Sequence, residues 1–323
     1  MNILIVNVNW IGDLLFSTPA IRAIRKRWPD AHIACWVPAR CAPVLRGNPY
    51  LDEVLTGGDP LTLRRRRFDA AFLFHRSRSR AFQCLLAGIP KRFGYSGRRR
   101  DWMLTHRCPP ADASLHRLDY FLNLVRSFGI EDDGRSMDFF PKPGSEAELD
   151  RLFGEHGIRK DEPYAVMHPG GNWDLKRWPP AFFKKWARLL IDKTHWRVIV
   201  CGTAGEASLA QEVLEGFSEK EMVSLSGKTS LDGLAVLLKR ARLLISNDSG
   251  PIHVAATQGT PIVGVFGPTL PEITGPPSEG RSVILRKDVG CEVPCYFRAC
   301  NYRQCLDLLS PEEVFERSEE LLR

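Results

Sequence analysis

An α/β fold of two parallel-sheet domains is predicted by three observations. Short apolar runs alternate with segments of helical spacing almost from end to end. The alternation stops at Pro141-Lys142-Pro143-Gly144 and then restarts. At 323 residues the chain is too long for one ordinary core and suits two domains of roughly 150 residues each.

In the first half, residues 2–8, 32–37 and 68–74 are short apolar runs and read as strands. Residues 14–28 and 118–128 carry helical spacing between and after them. The Pro/Gly break sets the expected boundary, with domain one over 1–143 and domain two over 144–323. A helix capped by Ser145, with Glu148 as capping-box partner, opens the second domain. There, 164–168, 197–201, 222–225, 243–246 and 261–266 read as strands, and 180–192, 207–214 and 231–240 as helices. Ser310-Pro311-Glu312-Glu313 starts a last helix, which is expected to pack back on the N-terminal domain.

The content of 44% hydrophobic and 26% charged residues suits a soluble globular protein. No apolar run approaches the roughly 18 residues needed to span a bilayer. Met1 to Val6 lacks a basic n-region and reads as a strand, so a cytoplasmic enzyme is expected. The net charge of +7 is unevenly placed. Residues 64–107 hold 13 Lys or Arg against Asp69 and Asp101, a local excess of +11 that leaves −4 elsewhere. Such a block suggests an acidic partner: phosphorylated lipid, an anionic membrane surface or nucleic acid. For Arg64-Arg65-Arg66-Arg67 alone a solvated face is the favoured reading. The recurrence through Arg76, Arg78, Arg80, Lys91, Arg92, Arg98, Arg99 and Arg100 favours a functional surface.

Open parallel sheets bind ligands beyond the carboxyl ends of their strands, and three motifs fall there. Asn247-Asp248-Ser249-Gly250-Pro251-Ile252-His253 follows an apolar strand and opens a helix with Pro251 at an early position. Free N–H groups and the positive end of the helix dipole make such a junction an anion site, suited to a nucleotide diphosphate. His168-Pro169-Gly170-Gly171-Asn172 leads to Lys176-Arg177, where two glycines admit close backbone approach and two cations can meet phosphate. Gly12-Asp13 follows the first strand. A carboxylate there can serve as a general base toward a hydroxyl, or simply cap the helix; position alone leaves these even.

Other signals fail. Gly227-Lys228-Thr229 resembles the end of a P-loop, but Met222 stands where the first glycine belongs. No G-x-G-x-x-G follows the first strand and no H-E-x-x-H occurs. Cys35, Cys41, Cys84, Cys108 and Cys201 are scattered and read as buried thiols. Cys291, Cys295, Cys300 and Cys305 are spaced C-x₃-C-x₄-C-x₄-C, which leaves a structural zinc or iron–sulfur site as the lesser alternative to uncoordinated thiols.

Taken together, Asn9-Trp10-Ile11-Gly12-Asp13 with Ser17-Thr18-Pro19-Ala20-Ile21, the loop from His168 to Pro179, and Asn247 to His253 with Phe266-Gly267-Pro268-Thr269 resemble a known family. That family is glycosyltransferase family 9, the ADP-heptose:lipopolysaccharide heptosyltransferases, and the likeness is greater to the heptosyltransferase II type. The resemblance spans nearly the whole chain. It implies a GT-B fold: two Rossmann-like domains facing across a cleft, the acceptor on the N-terminal one and ADP-heptose on the C-terminal one. It further implies an inverting, metal-independent transfer of heptose from ADP-heptose to the lipopolysaccharide inner core, at heptose I on Kdo-lipid A.

Carried over, Asp13 is the expected base and Lys176 steadies the diphosphate leaving group. Gly170, Gly171, Asn172, Asp248, Ser249, Gly250 and His253 line the donor site, and Glu206 is placed at the ribose. Gly12, Arg64, Arg98 and Arg99 are expected at the acceptor. The family often carries hydroxyl residues where this chain has Gly171 and Asn172, which leaves backbone groups for phosphate at that point. No cofactor is implied. The expected partners are ADP-heptose, a Kdo-lipid A acceptor and the inner face of the inner membrane, touched peripherally and less at high salt; nucleic acid is not expected. The alternatives are a family member using another sugar or acceptor, and a non-catalytic nucleotide- or nucleic-acid-binding protein.

Overall fold

The computed structural model describes residues 1–97, 99–277, 281–295, 300 and 302–322. The chain divides into two compact units, Met1–Phe140 and Pro141–Arg323, where 1–143 and 144–323 were expected.

Unit one holds strands β1 (Asn2–Val6), β2 (His32–Trp36), β3 (Glu53–Leu55), β4 (Ala70–Leu73), β5 (Lys91–Tyr95) and β6 (His106–Cys108). Its helices are α1 (Ile11–Phe16), α2 (Thr18–Arg27), α3 (Pro60–Arg65), α4 (Arg78–Leu86) and α5 (Arg117–Arg126). The strands are all parallel, in the order β3-β2-β1-β4-β5-β6. The order reverses between β1 and β4, which opens a crevice beyond their carboxyl ends. β1, β2 and β4 are mostly apolar and buried, as parallel strands covered on both faces must be. β3, β5 and β6 carry no such signal: two have three residues, and β5 begins Lys91-Arg92.

The single helix expected over 14–28 is two. Pro19 has no N–H for the Leu15 carbonyl, so the Thr18 hydroxyl takes that carbonyl at 2.7 Å. The Ser17 hydroxyl donates to the Leu14 carbonyl at 2.7 Å, and the chain restarts as α2.

Unit two repeats the plan with β7 (Tyr164–His168), β8 (Arg197–Val200), β9 (Met222–Ser224), β10 (Leu243–Asn247), β11 (Ile262–Phe266) and β12 (Ser282–Arg286). Its helices are α6 (Ser145–Glu155), α7 (Pro180–Thr194), α8 (Ala207–Leu214), α9 (Leu231–Arg240), α10 (Gly250–Gln258), α11 (Pro271–Thr274), α12 (Gln304–Asp307) and α13 (Pro311–Ser318). The parallel order is β12-β11-β10-β7-β8-β9, with its reversal between β7 and β10. Trp178, Phe183 and Trp186 anchor the core between α7 and the sheet.

One expectation is corrected here. Gly144, with φ of 88°, caps α6 in place of Ser145. Glu148 is drawn away to accept from the Ser230 N–H and hydroxyl, each at 2.7 Å, which ties α6 to the start of α9. The last helix is packed on α7 within unit two. Val314 lies in the core of unit two, and Ser318 accepts from the Trp186 indole at 3.1 Å. The start of that helix is as expected, with Ser310 accepting from the Glu313 N–H.

Among the described residues no helix is long and apolar enough to cross a membrane. All nine cysteines are free thiols; Cys35, Cys41, Cys84, Cys108 and Cys201 are buried. Cys291 is exposed and Cys295, Cys300 and Cys305 are half-buried. Among the described residues no three His, Cys, Asp or Glu side chains are grouped to hold a metal.

Candidate active site

In unit two the expected donor residues meet where β7 and β10 end side by side. Ser246, one residue from the end of β10, pairs in register with His168, the last residue of β7. That neighbourhood lets Asn247 act as a clamp. Its side-chain amide donates to the carbonyls of Pro169 (2.8 Å) and Gly170 (3.0 Å) and accepts from the Trp178 N–H (2.9 Å). Both ends of the loop 169–178 are thereby tied to one fully buried side chain.

Inside this loop two glycines are required for different reasons. Gly171 has φ of 156°, which side chains rarely adopt. A Cβ at Gly170 would lie 1.9 Å from Glu206 Oε1. That carboxylate accepts from the Gly171 N–H through Oε1 and from the Thr203 N–H and hydroxyl through Oε2, each at 2.8 Å. His168, with Nε2 at 3.8 Å, and then the Thr203 amide hold the Glu206 carboxyl far below the usual carboxylate range, against burial. Glu206 therefore works first as a loop anchor. Arg177 secures the other side, donating to the Gly171 carbonyl at 2.9 and 2.6 Å.

The cation is fixed as well. Lys176 Nζ lies 2.6 Å from Asp248 Oδ2, and the Thr269 hydroxyl donates to the same oxygen at 2.6 Å. Asp248 is buried while Lys176 keeps a quarter of its side chain exposed. The carboxylate thus sets the position of a lysine whose charge still faces outward. Helix α10 begins alongside. Its N-cap, Ser249, is turned to His168 Nδ1 at 2.9 Å and caps no N–H with its side chain. The first turn of a nine-residue helix, starting at Gly250, is left as a positive dipole end. His253 is buried one turn further in. Asn172 is exposed beside the glycines. A fixed cation, a helix N-terminus and a glycine loop at one sheet edge are a site for a doubly charged anion.

In unit one, Asp13 is the third residue of the six-residue α1, while Trp10 holds the N-cap position. Gly12 precedes it, both half-buried. Beyond the carboxyl ends of β1 and β4, Asn9 Nδ2 and His75 Nε2 are 3.2 Å apart, and His75 Nδ1 accepts from the Ser77 N–H at 2.9 Å. Burial, then the guanidinium groups of Arg80 and Arg100, push His75 below its ordinary value, so it is neutral at pH 7.

Arg100 is 4% exposed and donates to the His75 carbonyl at 3.2 Å. Its Nε and Nη2 have no hydrogen-bond partner among the described residues. A buried guanidinium stays charged, and leaving it without an anion is costly. Arg76 lies over the Tyr120 ring at 5.3 Å and Arg80 over Trp36 at 3.6 Å. The sequence did not single out Arg100, since a buried arginine inside a basic run looks like its neighbours.

Of the arginines expected at the acceptor, Arg99 is exposed and Arg98 lies outside the described residues. Arg64 is not brought to Asp13. It sits in the last turn of α3, and the chain then returns to the start of β4, where Asn2 donates to the Arg67 carbonyl. This is the opposite edge of the sheet, because a crossover helix runs against its strands.

Residues 61–305 match glycosyltransferase family 9 (heptosyltransferase), and the chain belongs to that family. The protein is a glycosyltransferase. It is 28% identical to lipopolysaccharide heptosyltransferase 2 of Escherichia coli (strain K12), over all of this chain and 99% of that protein. The solved structure of E. coli ADP-heptose lps heptosyltransferase II superposes with a TM-score of 0.82 at 26% identity, covering 100% and 98% of the two chains. A glycosyl transferase family 9 structure from Veillonella parvula DSM 2008 gives 0.86 at 23% identity over 99% and 97%, a likeness of fold. The two six-stranded parallel sheets are those of the GT-B class.

Proposed function

We propose that this enzyme moves heptose from ADP-heptose to the lipopolysaccharide inner core, onto the first heptose of a Kdo-lipid A acceptor, with inversion at the anomeric carbon. The observation that carries the reading is Lys176, held at 2.6 Å by buried Asp248 beside the uncapped start of α10. Such an arrangement meets the charge that develops on a departing diphosphate. Donor phosphates lie against the backbone of Gly170, Gly171 and Gly250, with Asn172, Ser249 and His253 around them. The ribose lies by Glu206, whose main task is holding the loop.

Asp13 takes the proton of the acceptor hydroxyl. The oxygen attacks the anomeric carbon from the face opposite the diphosphate, the bond from that carbon to the phosphate oxygen breaks, and ADP departs with the electron pair. The new bond therefore has the inverted configuration. Arg100, with Arg76 and Arg80, supplies the positive charge for an anionic group of the acceptor. No cofactor takes part. A lipid-linked acceptor places the enzyme on the cytoplasmic face of the inner membrane, held peripherally.

The test follows ADP release with ADP-heptose and purified Kdo-lipid A acceptors, with and without one heptose, in EDTA. Turnover confined to the mono-heptosylated acceptor is the expected result. Turnover on the unsubstituted acceptor alone would move the assignment to the preceding transfer. No turnover on either, with ADP still bound, would leave the donor site and discard this sugar or acceptor.

A further inference from the structure

Residues Phe82 and Leu86 of α4 are four apart and share one stripe, which Arg78 begins. They are 40% and 51% exposed, while Ala81 and Cys84 of the same helix are buried against the sheet. Helix α4 therefore carries large apolar side chains on its outer face as well as its inner one, which folding of unit one does not require. Trp102, 62% exposed, sits in the short turn Asp101–Met103 against α4, its ring in edge contact with Phe82 at 6.1 Å. Leu61 on the adjoining α3 is 59% exposed. Isolated exposed apolar side chains are ordinary, but a contiguous group on adjoining elements marks an interaction surface.

The charges around it narrow the partner. Arg64, Arg65, Arg78, Lys91 and Arg99 are exposed on the same elements or just beside them and form no ion pair among the described residues. Arg66 is paired, to Glu53. The carboxylate of the turn, Asp101, is occupied by the Gly97 N–H at 2.8 Å. An aromatic and aliphatic centre within unpaired cations matches an anionic lipid interface, where rings and leucines sit at headgroup depth and arginines meet phosphates. A second copy of this chain is a poor fit, since a two-fold contact would set like charges face to face.

We propose that unit one docks on an anionic membrane surface through this patch, with Phe82, Leu86 and Trp102 entering the interface. The inference rests on the proposed lipid-linked acceptor, and a fixed docking face would hold the enzyme where such acceptors are.

The test is flotation of the full chain with phosphatidylcholine vesicles, with and without phosphatidylglycerol, at low and high salt. The comparison is with the triple variant Phe82→Ser, Leu86→Ser, Trp102→Ser. Wild type should float with the anionic vesicles and less so at high salt. The variant should bind at least about tenfold more weakly, since each side chain forfeits its apolar transfer. Transfer to a deacylated, water-soluble acceptor should be equal for both. Equal flotation of the two proteins would overturn the assignment of this patch. So would a wild type that ignores vesicles but self-associates through these residues in sedimentation. If flotation behaves as expected while wild type transfers nothing to either kind of acceptor, docking stands and the proposed reaction fails.

Discussion

At the level of single residues, the proposed mechanism divides the chemistry between two side chains, which can be separated by experiment. Asp13 is the third residue of α1, so an amide there should leave the helix in place. Asp13→Asn should lower turnover by about 10³-fold, within the span of general-base effects, with ADP affinity by calorimetry unchanged. Loss of ADP binding as well would make Asp13 a structural residue. Lys176 is the reverse case, because in the proposed reaction its amine stands at the leaving group. Lys176→Ala should cut kcat by about 10²–10³, the loss seen when one preorganised stabiliser of developing charge is removed. An unchanged kcat with a raised donor KM would show that Lys176 binds the ground state only.

At the level of elements, the loop 169–178 acts as one piece because Asn247, Arg177 and Glu206 hold it from three sides. Its dependence on pH has a definite sign. The Glu206 carboxyl lies far below its ordinary value in the fold, chiefly through His168 and the Thr203 amide. Its contribution to stability is therefore complete above the unfolded glutamate value of about 4.3 and is lost as pH falls toward the folded value. Wild type should melt above Glu206→Gln at pH 7, and the gap should close steadily below about pH 4. A gap independent of pH would mean that the charge is not what anchors the loop.

At the level of the whole molecule, each unit carries its own sheet and core, and α13 belongs to the second. Removing residues from Ser310 onward takes Val314 out of that core and leaves the Trp186 indole N–H without Ser318. Together these losses amount to about 3–6 kcal/mol, a large share of a domain's stability. Calorimetry of the truncated chain should show unit two melting early and no longer stabilised by ADP. An unchanged ADP-dependent transition would show that the helix is dispensable to unit two and to ADP binding.

Much of this plan is legible in the chain. Strands β1, β2, β4, β7, β8, β10 and β11 are apolar on both faces, a property local enough to read directly. So are the glycine loop and the Asp248–His253 junction, because a helix start after a strand end is a local event. What escaped reading depends on neighbours far along the chain. Asn247 becomes a clamp only because β10 lies beside β7, 78 residues away from Pro169. Arg100 differs from Arg99 only by burial, and Arg64 is excluded from the Asp13 edge only by the direction of α3. By itself the sequence determined the alternation of elements, the two units and the motifs at the strand ends, since periodicity and strand–helix junctions act over a few residues. The tertiary structure alone decided which side chains anchor the site and which face solvent, because strand order and burial are set by contacts across the whole fold.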